Sequence, residues 1–530
     1  MKINETYEGN KIPRSTKRLY SSGTIARDAA YTLVSLFFLT YIQFCAPLGY
    51  ATEIIEGTRS NDLYIYQMLV ISAIVIVCRV WDGFNDPIMG WIIEKAHFKT
   101  GKYKPWILIG GLTNAVVLFL MFYLQPVGWY YVLAFAAFYL LWDFTFTMND
   151  IGYRSMLPSL SNDEKERNQI TTLVSVFSSV GAFAAGGIIP MVVSGNAKNM
   201  YAIVGGVIAL LFAISQAILF FFCKEHKRDA AQTESENKAK FTDMFKLLKT
   251  NDQLRVITIV ILIYYLGSAI LNALGLNYFY FLYGYAEGGT IQFIFTVVYA
   301  AGTILAQIAF PFLSKKFNRS QLFFISFIVL AIGYVIFFIY QLPVSPTLTL
   351  GPKLGGTADI IILSFIGVFI FAGQGLFYLI ILVMMANTIE YNEYKTGERK
   401  EAIIFAFRPL TAKLSSAMQA GVVAATLAIT GLYAISSGIS DIELNRGLGL
   451  AEFAGLTEAE KTILAQELAQ KEIDVINFTQ IIALKATMCL LPLVLFIISF
   501  VLIKMFYKID EPTYQSMCKE IEMRKGSVNL

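Results

Sequence analysis

Residues 77–106 read VCRVWDGFNDPIMGWIIEKAHFKTGKYKPW. The first part of this stretch lies in a long apolar run, yet it holds Arg79, Asp82 and Asp86. It then passes into a short loop with Lys95, Lys99, Lys102 and Lys104. An apolar run of about 20 residues is what a helix needs to cross the hydrocarbon core of a bilayer. A charge at the centre of such a helix costs on the order of 2.5–3.5 kcal/mol on insertion scales. Three of them on one helix face, at i, i+3 and i+7, call for a partner, a watery cavity or a ligand.

The same kind of run recurs along the chain, at roughly 28–50, 65–94, 105–124, 129–150, 169–193, 201–223, 256–283, 289–313, 321–341, 358–390, 402–434 and 479–503. Of 530 residues, 56% are hydrophobic and only 15% charged, and the mean hydropathy is +0.59. Soluble domains carry more charge and shorter apolar runs. Barrel strands alternate and span in about ten residues, which excludes a membrane β-barrel. The expected class is an all-α membrane protein with twelve transmembrane helices. The first 25 residues are polar and basic, without the apolar core of a cleavable signal peptide.

Positive charge orients the spans. With the N-terminus inside, 32 of the 42 Lys and Arg fall in inner segments, six in outer ones and four within spans. This asymmetry predicts that both termini are cytoplasmic, in a cell membrane. The net charge of +4 is then a topology signal and does not point to nucleic acid. The four basic residues inside spans are Arg79, Arg408, Lys413 and Lys485. Lys485 lies near the outer end of the last span, where a lysine can snorkel to the interface.

Six spans precede the longest inner connection, 224–254, and six follow it. The expected organisation is a cytoplasmic segment (1–27), a six-helix half (28–223), the central loop (224–254), a second half (255–507) and a tail (508–530). A weak repeat supports two related halves: DPIMGWIIEKAHFKTGKYKPW follows the second span, and FPFLSKKFNRSQLFF follows the eighth. Two six-helix halves with binding at the bilayer midplane is an architecture of many secondary transporters. Within the second half, the outer insertion 435–478 is long and acidic. In it, LTEAEKTILAQELAQKEI has a capping box from Thr457 to Glu460 and helical apolar spacing. A short surface helix is expected there, as a solvated insertion or as a substrate lid.

The cysteines, Cys45, Cys78, Cys223, Cys489 and Cys518, form no CxxC pair and none lies in an outer loop. The only histidines are His97 and His226. Neither disulfides nor a resident metal or other cofactor is expected. The polar chemistry sits instead on a few helix faces. Asn85 lies beside the face of Arg79, Asp82 and Asp86. YLLWDFTFTMNDIGYR, residues 139–154, places Asp143 and Asp150 on one face with Thr147 between them. ARDAAYTLVSLFFLTY opens the first span with Asp28 as its only acid, and EAIIFAFRPLTAKLSSAMQAG carries Arg408 and Lys413. The glycines of GAFAAGG, 181–187, suit close helix contact.

These stretches carry a family resemblance. RVWDGFNDPIMGWI followed by GKYKPWILIG, TMNDIGYRSMLPSLSNDEKERNQ, TNDQLRV and MANTIEYNEYKTGERKEAI resemble the glycoside–pentoside–hexuronide:cation symporters of melibiose-permease type, within the major facilitator superfamily. The resemblance covers nearly the whole chain. It implies uptake of a sugar or glycoside coupled to Na⁺, or to H⁺ or Li⁺, with no enzymatic step. It also implies a cation site at Asp82, Asn85, Asp86 and Thr147, and sugar-binding acids at Asp28 and Asp150. Lys413, with Arg79, takes a coupling role. The partners expected are a small sugar or glycoside, a monovalent cation and the lipid bilayer.

The match is incomplete. Where the family's galactoside carriers have a tryptophan four residues after the fourth-span acid, this chain has Arg154. Ser175 stands in place of a sugar-contacting arginine on the fifth span, and Phe146 in place of a tyrosine. The galactoside pocket is therefore not reproduced. Arg154 either supplies the missing guanidinium or is a topology charge at the end of the fourth span. On the same fold, the rival readings are a carrier of another amphiphile, such as a lysolipid, and a non-transporting membrane sensor.

Overall fold

The computed structural model describes residues 13–49, 60–96, 98, 100–160, 164–223, 241–345, 348–350 and 356–528. The first twelve residues, the outer-loop stretch 50–59, His97, Lys99, and 224–240 of the central loop with His226 lie outside the described residues. Among the described residues, twelve helices are long and apolar enough to cross a membrane. The chain is a multi-pass membrane protein. Large apolar side chains such as Val77, Phe221, Ile308 and Phe365 are exposed along these helices, which water would penalise and lipid does not.

The chain divides into two compact units. The first holds α1 (Arg14–Cys45), α2 (Asn61–Lys95), α3 (Lys104–Tyr123), α4 (Trp129–Leu160), α5 (Glu164–Val193) and α6 (Ala197–Phe222). The second opens with the short helix α7 (Phe241–Thr250), followed by α8 (Asp252–Tyr283). Next come α9 (Tyr285–Lys316), α10 (Arg319–Ile339) and a hairpin of β1 (Leu342–Ser345) and β2 (Leu348–Leu350). The long helix α11 (Gly356–Thr396) leads to α12 (Glu401–Ile429). Then come α13 (Leu432–Leu448), α14 (Glu458–Asp474), α15 (Phe478–Phe506) and α16 (Glu511–Val528).

Membership of the units does not follow the chain. Gly284–Gly289, around the head of α9, and Leu432–Val475, which is α13 with α14, pack in the first unit, although the helices on either side of them belong to the second. The surface helix read from LTEAEKTILAQELAQKEI is α14. Thr457 and Glu460 make its capping box in both directions.

The first helix begins 14 residues before the span read from hydropathy, so half of the segment 1–27 is helical. Its early turns bury a polar face: Lys17, Tyr20, Ser21, Gly23, Thr24 and Arg27 recur at helical spacing. A hydropathy average does not register such a face, because its charges are paired inside the protein. Lys17 Nζ lies 2.5 Å from Glu166 and 2.9 Å from Gln169 Oε1 on α5.

Lys485 also departs from its sequence reading. It does not snorkel: it is fully buried, and its ammonium donates to the carbonyl of Tyr340 at the C-terminal end of α10. The last carbonyls of a helix lack partners and carry partial negative charge. A buried lysine beside them is paired without reaching the interface. In the motif EYKTGERKEAI, Arg399 pairs with Glu390, Glu393 and Glu401, and Lys395 pairs with Asp252. These bonds join the end of α11 to the heads of α8 and α12.

Close packing of α1 on α5 depends on Gly181. A Cβ there would stand 2.1 Å from the Ile25 carbonyl oxygen. Gly181→Ala is therefore expected to push α1 off α5. Overpacking of this kind costs about 1–3 kcal/mol, read as a lower melting temperature in detergent. Gly206→Ala is the control, since its Cβ would meet Phe119 at an ordinary 3.5 Å. Equal melting of the two variants would remove Gly181 from the contact.

Candidate functional site

The first unit gathers the acids singled out in the sequence into two groups. Asp28 and Asp150 meet through a residue the sequence reading passed over. Arg27 Nη2 is 3.1 Å from Asp28 Oδ2, and its Nη1 is 3.3 Å from Asp150 Oδ1. The guanidinium also lies over the Tyr153 ring, 4.5 Å from its centroid. Only 4% of Arg27 is exposed, whereas the carboxylates retain 20% and 22% of their side-chain exposure.

The backbone setting of this group is fixed by a reciprocal clamp between α1 and α4. Tyr20 donates its hydroxyl to the Tyr153 carbonyl at 2.5 Å, and Tyr153 donates to the Tyr20 carbonyl at 2.7 Å. The two rings stack at 4.3 Å. Gln216 on α6 donates to the Gly23 carbonyl and accepts from Asn149, which also donates to the Ile107 carbonyl on α3. Four helices thus hold Asp28 and Asp150 in place through buried amides and phenols.

Arg154 Nε reaches Asp150 Oδ2 at 2.8 Å, one turn along α4, with 72% of its side chain exposed. It therefore pairs with Asp150 from the open side. The buried guanidinium of the group is Arg27. Ser175 is exposed on α5. The apolar run begins just after Arg27, so hydropathy places it among the topology charges of the segment 1–27. The signal available was its spacing from Tyr20, Gly23 and Thr24 on one helix face.

The second group is on α2 and α4. Arg79, Asp82, Asn85, Asp143 and Thr147 are each at most 5% exposed, and Asp86 is half-buried. Asn85 Nδ2 donates to Asp143 Oδ2 at 3.3 Å. The Arg79 guanidinium lies 5.8 Å from the Tyr139 ring centroid, in the field of both Asp82 and Asp143. Asp143 is thus tied to the α2 group. Tyr31 packs on Phe146 and Trp142, placing an aromatic surface one turn beyond Asp28. A π-helical turn, Leu33–Phe37, follows at once; such turns re-aim the side chains around them.

In the second unit, Lys413 is half-buried on α12. Arg408 Nε lies 3.3 Å from the Tyr265 hydroxyl, with its guanidinium 5.6 Å from the Tyr378 ring centroid.

Buried opposite charges on membrane-spanning helices mark a functional site, and such helices in two compact units are an arrangement that many secondary transporters share. More particularly, the chain belongs to the MFS/sugar transport protein family, whose sequence profile matches residues 19–511. It is 28% identical to the lactose permease of Lactobacillus delbrueckii subsp. bulgaricus over 419 residues, 75% of this chain and 60% of that protein. It is 27% identical to the raffinose carrier protein of Pediococcus pentosaceus over 428 residues, 78% and 62% of the two chains. The isoprimeverose transporter of Lactiplantibacillus pentosus is 24% identical over 491 residues, 87% and 92% of the two. The chain spans about three fifths of the length of the lactose and raffinose carriers it matches. Among solved structures, a D-xylose–proton symporter shares the fold, with a TM-score of 0.54 at 13% identity, covering 84% of this chain and 99% of that one. The resemblance to the glycoside–pentoside–hexuronide:cation symporters stands.

Proposed function

We propose that the chain is a cation-coupled sugar or glycoside symporter working by alternating access in the cell membrane, with both termini in the cytoplasm. The observation that carries this reading is the junction of Asp28 and Asp150 through Arg27, in the same unit as the α2 acids. A carboxylate offers about four acceptor sites. Arg27 contacts both acids and Arg154 contacts Asp150 as well, while the carboxylates keep 20% and 22% of their side-chain exposure, where adjacent sugar hydroxyls can reach them. Asp82, Asn85, Asp86 and Thr147 supply the hard oxygen atoms that a small cation needs once it sheds water. The names of the relatives agree with sugar as cargo, and Na⁺ is favoured over H⁺ by the resemblance. Cation binding would lower the electrostatic cost of enclosing the sugar. Lys413 would take the coupling role that the resemblance implies.

The test is uptake by the purified protein in lipid vesicles, with Na⁺ and pH gradients imposed separately and a panel of glycosides, pentosides and hexuronides offered. Accumulation of at least one sugar under one of the two gradients is the expected result. Movement of lysolipid with no sugar accumulated under either gradient would replace this reading with the amphiphile carrier. No movement of any solute would favour the sensor.

A further inference from the structure

The insertion between α12 and α15 packs as a built element of the first unit. Glu443 on α13 is fully buried. Its Oε1 accepts from the Gly195 amide at 2.8 Å and from the Tyr285 hydroxyl at 2.8 Å. Its Oε2 accepts from the Ala197 amide at 2.8 Å. The Ala197 amide heads α6, where the first N–H groups of a helix have no partner within it, and Gly195 lies just before the N-cap. Tyr285 heads α9. One carboxylate therefore joins three segments far apart in sequence.

The rest of α13 and α14 adds to this seat. Arg446, 2% exposed, donates to Glu458 at 3.0 Å and to Thr462 at 3.2 Å, fixing the two helices to each other. Gln466 donates to the Ser194 carbonyl at 3.2 Å. Gln43 at the end of α1 donates to Ser436 at 2.7 Å. Burial raises the Glu443 carboxyl to about 7, against the pull of the two amides, Tyr285 and Arg446. The seat is thus polar at its centre, and it has a desolvation cost that a purely apolar contact would not have.

Both ends of the insertion run into helices of the second unit. Entry is by Thr430 and Gly431, the latter at φ +72°, a left-handed turn that favours glycine. Exit is at Asn477, the N-cap of α15. Gln480, in the first turn of α15, donates to the Thr430 carbonyl at 2.8 Å, so entry and exit are pinned together. Any rocking of one unit against the other must lift the insertion from its seat or strain these two connections.

We infer that residues 432–475 form a strap that leaves the first unit in each transport cycle, with Glu443 as its latch. The inference rests on the alternating-access reading, and its test separates the two. A Cβ at Gly447 would lie 3.5 Å from the Lys198 Cβ on α6, within the span of a disulfide. Lys198→Cys with Gly447→Cys, in a chain also carrying Cys518→Ser, locks the strap down when oxidised. Sugar uptake in vesicles is expected to fall about tenfold on oxidation and to return on reduction, while each single cysteine variant is indifferent to oxidant. Undiminished uptake by the fully cross-linked protein overturns the strap.

Hydrogen exchange supplies the arm that needs no substrate. Amides of 432–448 are expected to exchange together, ahead of those of α6. Glu443→Gln is expected to speed them about tenfold, because its NH₂ must face a donor, and Glu443→Asp is expected to restore part of the protection. Protection of 432–448 equal to that of α6 overturns the strap, and unchanged exchange in Glu443→Gln overturns the latch. If reduced protein moves no sugar while exchange behaves as stated, the transport reading has failed and the latch has not.

Discussion

Arg27→Ala is expected to reduce sugar binding and uptake to background and to destabilise the protein by about 3–5 kcal/mol, the usual cost of removing one partner from a buried charge group. The guanidinium is nearly inaccessible, 3.1 and 3.3 Å from two carboxylates and stacked on Tyr153. Without it, Asp28 and Asp150 face each other across the space it filled, and Arg154 compensates only Asp150, from an exposed position. Arg27→Lys keeps the charge but not the fork that reaches both acids, so it should retain insertion and stability better than Arg27→Ala and still bind sugar poorly. Combining Arg27→Ala with Asp28→Asn and Asp150→Asn should recover melting temperature without recovering binding. Melting curves and equilibrium binding of the best sugar in detergent decide the matter. Wild-type affinity in Arg27→Ala would show that the two acids do not act through this junction.

That junction marks the limit of what the sequence discloses. Twelve spans are legible because a bilayer demands about 20 apolar residues per crossing, and no local detail alters that. The acids Asp28, Asp82, Asp86 and Asp150 are legible for the complementary reason, since charge inside an apolar run has to be explained. Arg27 stands one position outside the run as hydropathy draws it, so the same reasoning assigns it to the interface. Its burial depends on α4 and α5 covering the early turns of α1. Lys485 shows the converse. It lies inside a run near a span end, and only the position of the Tyr340 carbonyl separates a paired lysine from a snorkelling one. The acidic character of 435–478 suggests a solvated segment. Glu443 is nevertheless buried, because its partners come from Gly195, Ala197 and Tyr285, which no periodicity brings together.

Asp82→Asn is expected to abolish stimulation of uptake by a Na⁺ gradient, or by a pH gradient if H⁺ is the coupling ion, and to leave sugar binding within a few-fold of wild type. The substitution keeps the volume and removes the charge. Asp28 and Asp150, the acids proposed to bind sugar, are in a separate group, held by their own arginine. A competing account is that Asp82 merely balances Arg79, which lies in its field together with Asp143. The accounts differ in the double variant. If Asp82 serves only to neutralise Arg79, then Arg79→Gln with Asp82→Asn removes both charges and restores coupled uptake, and the two single effects are far from additive. If Asp82 ligates the cation, the double variant remains uncoupled however well it folds, because an amide oxygen replaces a carboxylate oxygen without its charge. Asn85, which donates to Asp143, gives a further check. Asn85→Ala should weaken cation dependence without removing it, since it takes away one neutral oxygen and loosens Asp143, while leaving the carboxylate of Asp82 in place.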